Sequence, residues 1–249
     1  MDIEPITPDA PRSIRLGVMT QRWTDVVFLH WATDPVAADP LLPDAVRLDR
    51  HDDQVFVGLV ALHMRVAPLG IQPPRLGSFA EVNVRLYSVD RDGRRGLVFA
   101  SLNADRLAPA AAGRLGYRLP YTWGEFRGSR QVDTVTYAGR RRWPGPAHPT
   151  TDFTVRVGER IARPSQLEQF LTARWSLHWS AAGRTWRGDI AHPPWVLHAA
   201  YLDSIEDELI SAAGLPAPSG EPVSVLWSPG SQVRVGLPRP LRRGAPSRA

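Results

Sequence analysis

The sequence predicts a mainly antiparallel sheet with a few helices, as an α+β domain or a partly closed barrel. Three observations carry this expectation. Stretches of strand length, alternating or apolar throughout, recur along the 249 residues and number about ten. Most neighbouring stretches are joined by short turns, as antiparallel pairing requires. Only about three or four stretches carry helical spacing or helix-start signals.

The clearest strand is Ser78–Ser88, SFAEVNVRLYS. Ala80, Val82, Val84 and Leu86 point one way, while Phe79, Glu81, Asn83, Arg85 and Tyr87 point the other. Before it, residues 1–15 read as a loose arm and Thr20–His30 as the entering strand. Thr33–Pro43, with an Asp-Pro at each end, suits a short helix between turns. Val46–Asp49 and Gln54–Val66 read as strands joined by a His-Asp-Asp turn; the second is apolar nearly throughout, as a strand buried on both faces would be. Ala67–Gly77 is a Pro/Gly loop.

After the organising strand, the turn Asp90–Gly93 leads to a hairpin partner at Leu97–Ala104. Asp105–Leu115 is Ala-rich and helical, with Pro109 in its first turn. Leu119–Arg127, Gln131–Ala138 and Phe153–Val157 are further strands, and Arg140–Pro149 a loop. Pro164–Leu171 starts a helix with Pro-Ser, and Ala173–Ser180 and Thr185–Ile190 form a hairpin. Val196–Ala213 shows helical spacing through Leu197, Ala200, Tyr201, Ile205, Leu209 and Ile210, with Gly214 as its cap. Val223–Trp227 and Gln232–Gly236 read as the last strands, and RPLRRGAPSRA as a disordered tail. The whole reads as a single domain over 1–249, with its core at about 16–238.

Composition narrows the functional classes. There is no cysteine, which excludes disulfides, thiolate catalysis and cysteine metal sites. There is no lysine either, so all 30 basic residues are arginine. The net charge of +5 is modest and the arginines are scattered, without the basic stripe and interleaved aromatics of a nucleic-acid binder. No apolar run reaches the ~18 residues of a membrane span, and the N-terminus lacks the apolar stretch of a signal peptide. A cytoplasmic location is the expectation, with no nucleic-acid or membrane partner and a homo-oligomer left open.

Three clusters carry candidate chemistry. On the face bearing Glu81, Asn83 and Arg85, positions i and i+4 of a strand lie about 13 Å apart, so the two charges do not pair directly. Such a face is open to water or lines a polar cavity, because unpaired buried charges are costly. Phe79 and Tyr87 on the same face favour the cavity. In Leu115–Phe126, Arg118 stands beside Tyr121 and Trp123, which suits a small-anion pocket or plain packing with a cation–π contact. In Ala191–His198, His192 precedes two prolines and Trp195, which suits a general acid or base or a structural histidine. No histidine spacing matches a metal motif, and GxGxxG, P-loop and GxSxG signatures are missing. No cofactor or metal is implied.

With these stretches in hand, the chain resembles the YqjF-like family of uncharacterised proteins within the acetoacetate decarboxylase-like superfamily. The likeness spans Met19–Pro238 and is carried by TQRWTDVVFLHW, DPLLP, FAEVNVRLY, LPYTW, IAHPPWVLHAA and VLWSPGSQVRVGLPRP. The resemblance implies a mainly antiparallel sheet curled around a ligand cavity. It also implies a glutamate at the site, where Glu81 falls, and a Schiff-base lysine near LPYTW, where this chain has Tyr121, Thr122 and Trp123. Imine chemistry needs an amine of adjustable pKa, and arginine stays protonated. A fold does not by itself determine a reaction.

Three readings follow. In the first, a small carboxylate or carbonyl ligand sits in a polar and aromatic cavity. Asn83, Arg85, Tyr87, Arg118, Tyr121, Trp123 and Trp195 are the candidate binding residues, and Schiff-base activity is absent. The second is an enzyme with Glu81 as general base and His192 or Tyr121 as acid. The third is a non-catalytic structural or interaction protein.

Overall fold

The structure is a computed structural model that describes residues 2–71 and 78–241. Thirteen strands are found among them: β1 (Gly17–Ala32), β2 (Val46–Leu48), β3 (Phe56–Pro68), β4 (Ser78–Asp90), β5 (Arg95–Ala104), β6 (Tyr121–Gln131), β7 (Thr134–Trp143), β8 (Thr150–Arg160), β9 (Ser176–Ala181), β10 (Arg184–Ala191), β11 (His198–Asp207), β12 (Ser224–Gly236) and β13 (Arg239–Pro240). Four short helices accompany them: α1 (Pro35–Ala38), α2 (Leu107–Gly116), α3 (Gln166–Thr172) and α4 (Leu209–Ala212).

The strands form one sheet in the order β13-β10-β9-β5-β6-β7-β8-β11-β12-β1-β3-β4-β2, and β10 also pairs with β12 and β4 with β5. These two extra pairings close the sheet twice. A smaller ring runs β4-β3-β1-β12-β10-β9-β5, and a larger one β5-β6-β7-β8-β11-β12-β1-β3-β4. Pairing is antiparallel except where β5 meets β6 and β9. The fold is therefore the mainly antiparallel, curled sheet that the sequence predicts. β3 belongs to both rings, and seven of its first eight residues are buried. That explains why it is apolar on both faces.

β4 divides the two rings by its alternation. Ala80, Val82, Val84 and Leu86 join Phe126, Tyr137, Phe153 and Val155 in the core of the larger ring. Phe79, Glu81, Asn83 and Arg85 face a cavity inside the smaller one. Each fully buried aliphatic contributes about 1.5–3 kcal/mol. A one-residue slip of β4 would drive Glu81 and Arg85 into that core, so the register is strongly specified.

The structure corrects the sequence reading at several places. Val196–Ala213 is not a helix: His198–Asp207 is strand β11, paired with β8, and only Leu209–Ala212 is helical. The register shifts between Leu202 and Ser204, leaving Asp203 extra. Ala200 and Leu202 face inward before this bulge and Ile205 and Asp207 after it, and the switch from even to odd positions imitates helical spacing. The last two expected strands are one, β12, continuous through Ser228, Pro229 and Gly230. β2 and β3 do not pair with each other, although the turn between them is closed by a His51–Gln54 bridge; β2 instead lies along β4. The strand β7 extends to Trp143, into the expected loop.

The N-terminal arm has no regular element, yet it is docked. The Glu4 amide donates to Gly93 O, Trp175 Nε1 donates to Thr7 O, and Glu4 pairs with Arg12. Residues 72–77 of the expected Pro/Gly loop and 242–249 of the expected tail lie outside the described residues.

Candidate functional site

The cavity of the smaller ring has a volume of about 470 Å³, within the range of small-molecule sites. Its wall follows from cross-strand register. Phe79 lies beside Met64 and Met64 beside Trp23; Glu81 lies beside Leu62. Asn83 lies beside Val60 and Val60 beside Phe28; Arg85 lies beside Gly58 and Gly58 beside His30. Beyond Arg85, Tyr87 packs with Phe56, Leu97, Phe170 and Leu171 and forms a floor. Trp179, Ile190, His192 and Trp195 make the opposite wall. Pro68, Ala108, Ala112 and Tyr117 both line the cavity and are exposed, which marks its mouth beside α2.

Most of this lining is apolar; Gln21, Thr172, Arg174 and His192 are polar members elsewhere in the wall, and the polar groups of β4 stand in two places. The first is Glu81, 1% exposed. The Tyr121 hydroxyl donates to its Oε2 at 3.0 Å, and Asn83 Nδ2 donates to Oε1 at 3.3 Å. Burial raises its pKa from 4.5 to about 7, against the two hydrogen bonds, which favour the charged form. Burial, followed by the neighbouring carboxyl, pushes the Tyr121 phenol up, so it stays a donor. The Oδ1 of Asn83 is buried without a hydrogen-bond partner among the described residues.

The second place is Arg85, at the floor. Its Nη2 donates to Leu171 O at 2.9 Å, an acceptor shared with the Tyr87 hydroxyl at 3.0 Å. Its Nε is buried and unpartnered among the described residues, and no carboxylate there pairs with it. The guanidinium lies over the rings of Phe28 and Tyr87, 5.4 and 5.7 Å from their centroids. Gly58 makes this layer possible: a Cβ there would come within 3.1 Å of His30 and 3.2 Å of Arg85. Burial, and then the Arg85 charge, hold His30 well below the usual imidazole range, so it stays neutral.

The structure gathers Glu81, Asn83, Arg85, Tyr121, His192 and Trp195 around one cavity. It leaves out three expected residues. Tyr87 belongs to the floor cluster, below the cavity. Arg118 is exposed and sits before β6 with left-handed backbone (φ 58°), where strand alternation does not yet apply, and it lines a separate, smaller cavity. Trp123 pairs in register with Ala104 and Trp143 and packs on the apolar cluster that forms the cavity wall, without lining the cavity itself. His192 is held on the aromatic wall, its Nδ1 2.7 Å from Pro193 O and its ring 4.6 Å from both Trp175 and Trp195. Burial lowers its pKa. Of the two expected acids, Tyr121 hydrogen-bonds Glu81, whereas His192 bonds Pro193 O.

Sequence reasoning missed Phe28, Val60, Leu62 and Arg174, which also line the cavity. The first three sit in uniformly apolar runs that give no sign of which face is which. Arg174 is fully buried by α3, with its Nε on Phe170 O at 2.8 Å and an ion pair to Asp49. Among the described residues, no group of three or more His, Asp or Glu could hold a metal ion.

Comparison with known proteins agrees with this architecture. The chain is 26% identical over 210 residues to the uncharacterized protein YqjF of Bacillus subtilis (strain 168), covering 84% of this chain and 86% of that one. It is similar in fold to the enduracididine biosynthesis enzyme MppR complexed with pyruvate, with a TM-score of 0.66, 16% identity and 93% of each chain covered. It is also similar to the acetoacetate decarboxylase of Legionella pneumophila subsp. pneumophila str. Philadelphia 1, with a TM-score of 0.61, 16% identity, and 93% and 92% covered. Residues 20–232 match the family DUF2071, described as an uncharacterized conserved protein (COG2071), and the chain belongs to that family.

Proposed function

We propose that the cavity binds a small carboxylate or carbonyl compound with an apolar body, and that it does so without Schiff-base chemistry. The observation carrying this reading is Arg85: a buried guanidinium facing a cavity, with one carbonyl acceptor and no carboxylate among the described residues. An uncompensated buried cation is costly, and a ligand carboxylate would supply the missing partner through charge-assisted hydrogen bonds. The apolar body would lie along Val60, Leu62 and Phe28. A carbonyl or hydroxyl further up would meet Asn83, Glu81 and Tyr121. That MppR has been seen complexed with pyruvate, a small keto acid, supports the ligand class by analogy of fold. Imine formation has no candidate side chain, because the 249 residues hold no lysine and arginine does not deprotonate.

The test is a thermal-shift panel of pyruvate, acetoacetate, levulinate and benzoate on the wild type and on Arg85→Met. A ligand at about 100 times its dissociation constant adds roughly 2.7 kcal/mol to stability. Wild type should respond to at least one compound and Arg85→Met to none of those. A panel without any response, or equal responses in both proteins, refutes the reading.

A second reading is favoured by the Tyr121–Glu81 contact. A carboxyl that titrates near neutrality can take a proton from the carbon next to a bound carbonyl. Solvent-deuterium exchange into levulinate, present with wild type and lost in Glu81→Gln, would support it. Binding without exchange would refute it and leave the first reading intact.

A further inference from the structure

A second cavity, of about 270 Å³, adjoins the first. Phe99, Leu119 and Trp179 line both, so the partition between the two includes these three side chains. We propose that the second cavity is a side entrance to the main one, admitting small anions to Arg85 without passage through the mouth beside α2.

The sheet is forked at this place. β5 pairs in parallel with β9 only at Leu97, and with β6 only from Leu102 to Ala104. From Val98 to Ser101 no strand among the described residues lies on that edge. Backbone N–H and C=O groups must find partners, and where no strand provides them the neighbouring backbone, side chains or solvent must do so. On the other edge of β5, Ser101 lies opposite Val84 and Phe99 opposite Arg85, so Ala100 is extra. Such a bulge bends the strand where it changes partner. The fork thus falls in the same stretch of β5 that lies beside Arg85.

The two compartments also differ in chemistry. Val60, Leu62, Met64 and Phe28 make the main cavity apolar. The smaller one has Arg118, His178 and Ser180 in its wall. Arg118 and Ser180 are exposed, so it reaches solvent, and Arg118 takes part in no ion pair among the described residues. A small anion therefore meets one arginine outside the partition and another, Arg85, beyond it. Both arginines favour an anion over a cation along this path. The destination rests on Arg85 as the carboxylate anchor, but the existence of the route does not.

The absence of cysteine permits a direct test. A thiol placed at the main cavity's centre by Val60→Cys reports access there. Its rate of modification is measured with an anionic methanethiosulfonate, the sulfonatoethyl reagent, and with its trimethylammonium counterpart. The rates are compared in four backgrounds: unchanged, Leu119→Trp at the partition, Ala108→Trp at the mouth, and the two together. Phe99→Ala, which widens the partition, is a second and opposite change should Leu119→Trp misfold, as judged by melting and circular dichroism.

The proposal expects Leu119→Trp to slow labelling and Phe99→Ala to speed it, and expects Ala108→Trp to leave a substantial rate that still falls when Leu119→Trp is added. With each rate divided by that reagent's rate on a free thiol, it also expects the anionic reagent to be favoured about tenfold over the cationic one. Rates that follow the mouth change alone overturn it, as does a thiol that is never labelled or a missing preference for the anion. None of these rates depends on a bound ligand, so failure of the route is distinguishable from failure of the thermal-shift panel.

Discussion

Substituting Glu81 by glutamine should make the protein more stable at alkaline pH while changing little in acid. In the folded protein this carboxyl is 1% exposed, and burial moves its pKa from 4.5 to about 7. That gap, at about 1.4 kcal/mol per pH unit, amounts to about 3 kcal/mol. The folded chain holds the proton more tightly than the unfolded chain. The contribution is therefore fully present below about pH 4.5 and is lost as pH rises through about 7. Glutamine has no such dependence. It can still accept from Tyr121, and its amide can donate to the unpartnered Oδ1 of Asn83. Urea denaturation of both proteins at pH 4, 6 and 8.5 measures the effect. The stability of Glu81→Gln relative to wild type should rise by about 3 kcal/mol from the lowest to the highest pH. A difference that stays constant across this range would show Glu81 to be solvated, and with it the argument for a secluded acid would fail.

Gly58→Ala should weaken carboxylate binding and destabilise by roughly 1–3 kcal/mol, because its methyl group must displace Arg85 or His30; the thermal-shift panel and urea melts check both effects. Gly230→Ala should leave little folded protein, since Gly230 has φ 117° and a Cβ would fall 1.8 Å from Trp23 O, across the β1–β12 pairing; soluble expression and circular dichroism measure this. Removing residues 2–12 should lower the melting temperature through loss of the Glu4 and Thr7 hydrogen bonds, at about 0.5–1.5 kcal/mol for each bond lost. Borohydride added with acetoacetate should leave every side chain unmodified by mass spectrometry, as no residue of the chain is lysine.

Much of this fold was legible because β4 and β3 carry strong and different signals. In β4 an unbroken alternation separates a filled core from a cavity wall, and both faces are recorded in the residue types. The uniformly apolar β3 announces burial on both sides, which is what a strand shared by two rings requires. Legibility failed where the backbone departs from a simple period. The bulge at Asp203 turns a strand into an apparent helix, and residues 228–231 separate two expected strands although β12 runs through them. Site residues were misplaced for a related reason. Arg118 is near Tyr121 and Trp123 in sequence but precedes their strand with left-handed backbone, and the parity that groups Tyr87 with Glu81 does not tell where the cavity ends.

The register also bears on why the chemistry of this cavity should differ from imine catalysis. The carboxyl of Glu81 is met by a phenol, not an amine: Tyr121 donates to it from the first residue of β6, which is fixed in parallel register to Leu102. A lysine ammonium beside Glu81 would pair with it and hold the carboxyl ionised, whereas a phenol leaves burial dominant and the carboxyl near neutrality. The cavity arginine without a carboxylate partner among the described residues stands instead at Arg85, about four residues along the same strand and so about 13 Å away. The buried cation and the titratable carboxyl are thus separated along β4. A ligand that uses both must reach from the floor to the level of Tyr121, while one that uses only Arg85 would leave Glu81 untouched. Comparing Arg85→Met with Glu81→Gln, compound by compound, therefore measures how far up the cavity each ligand extends.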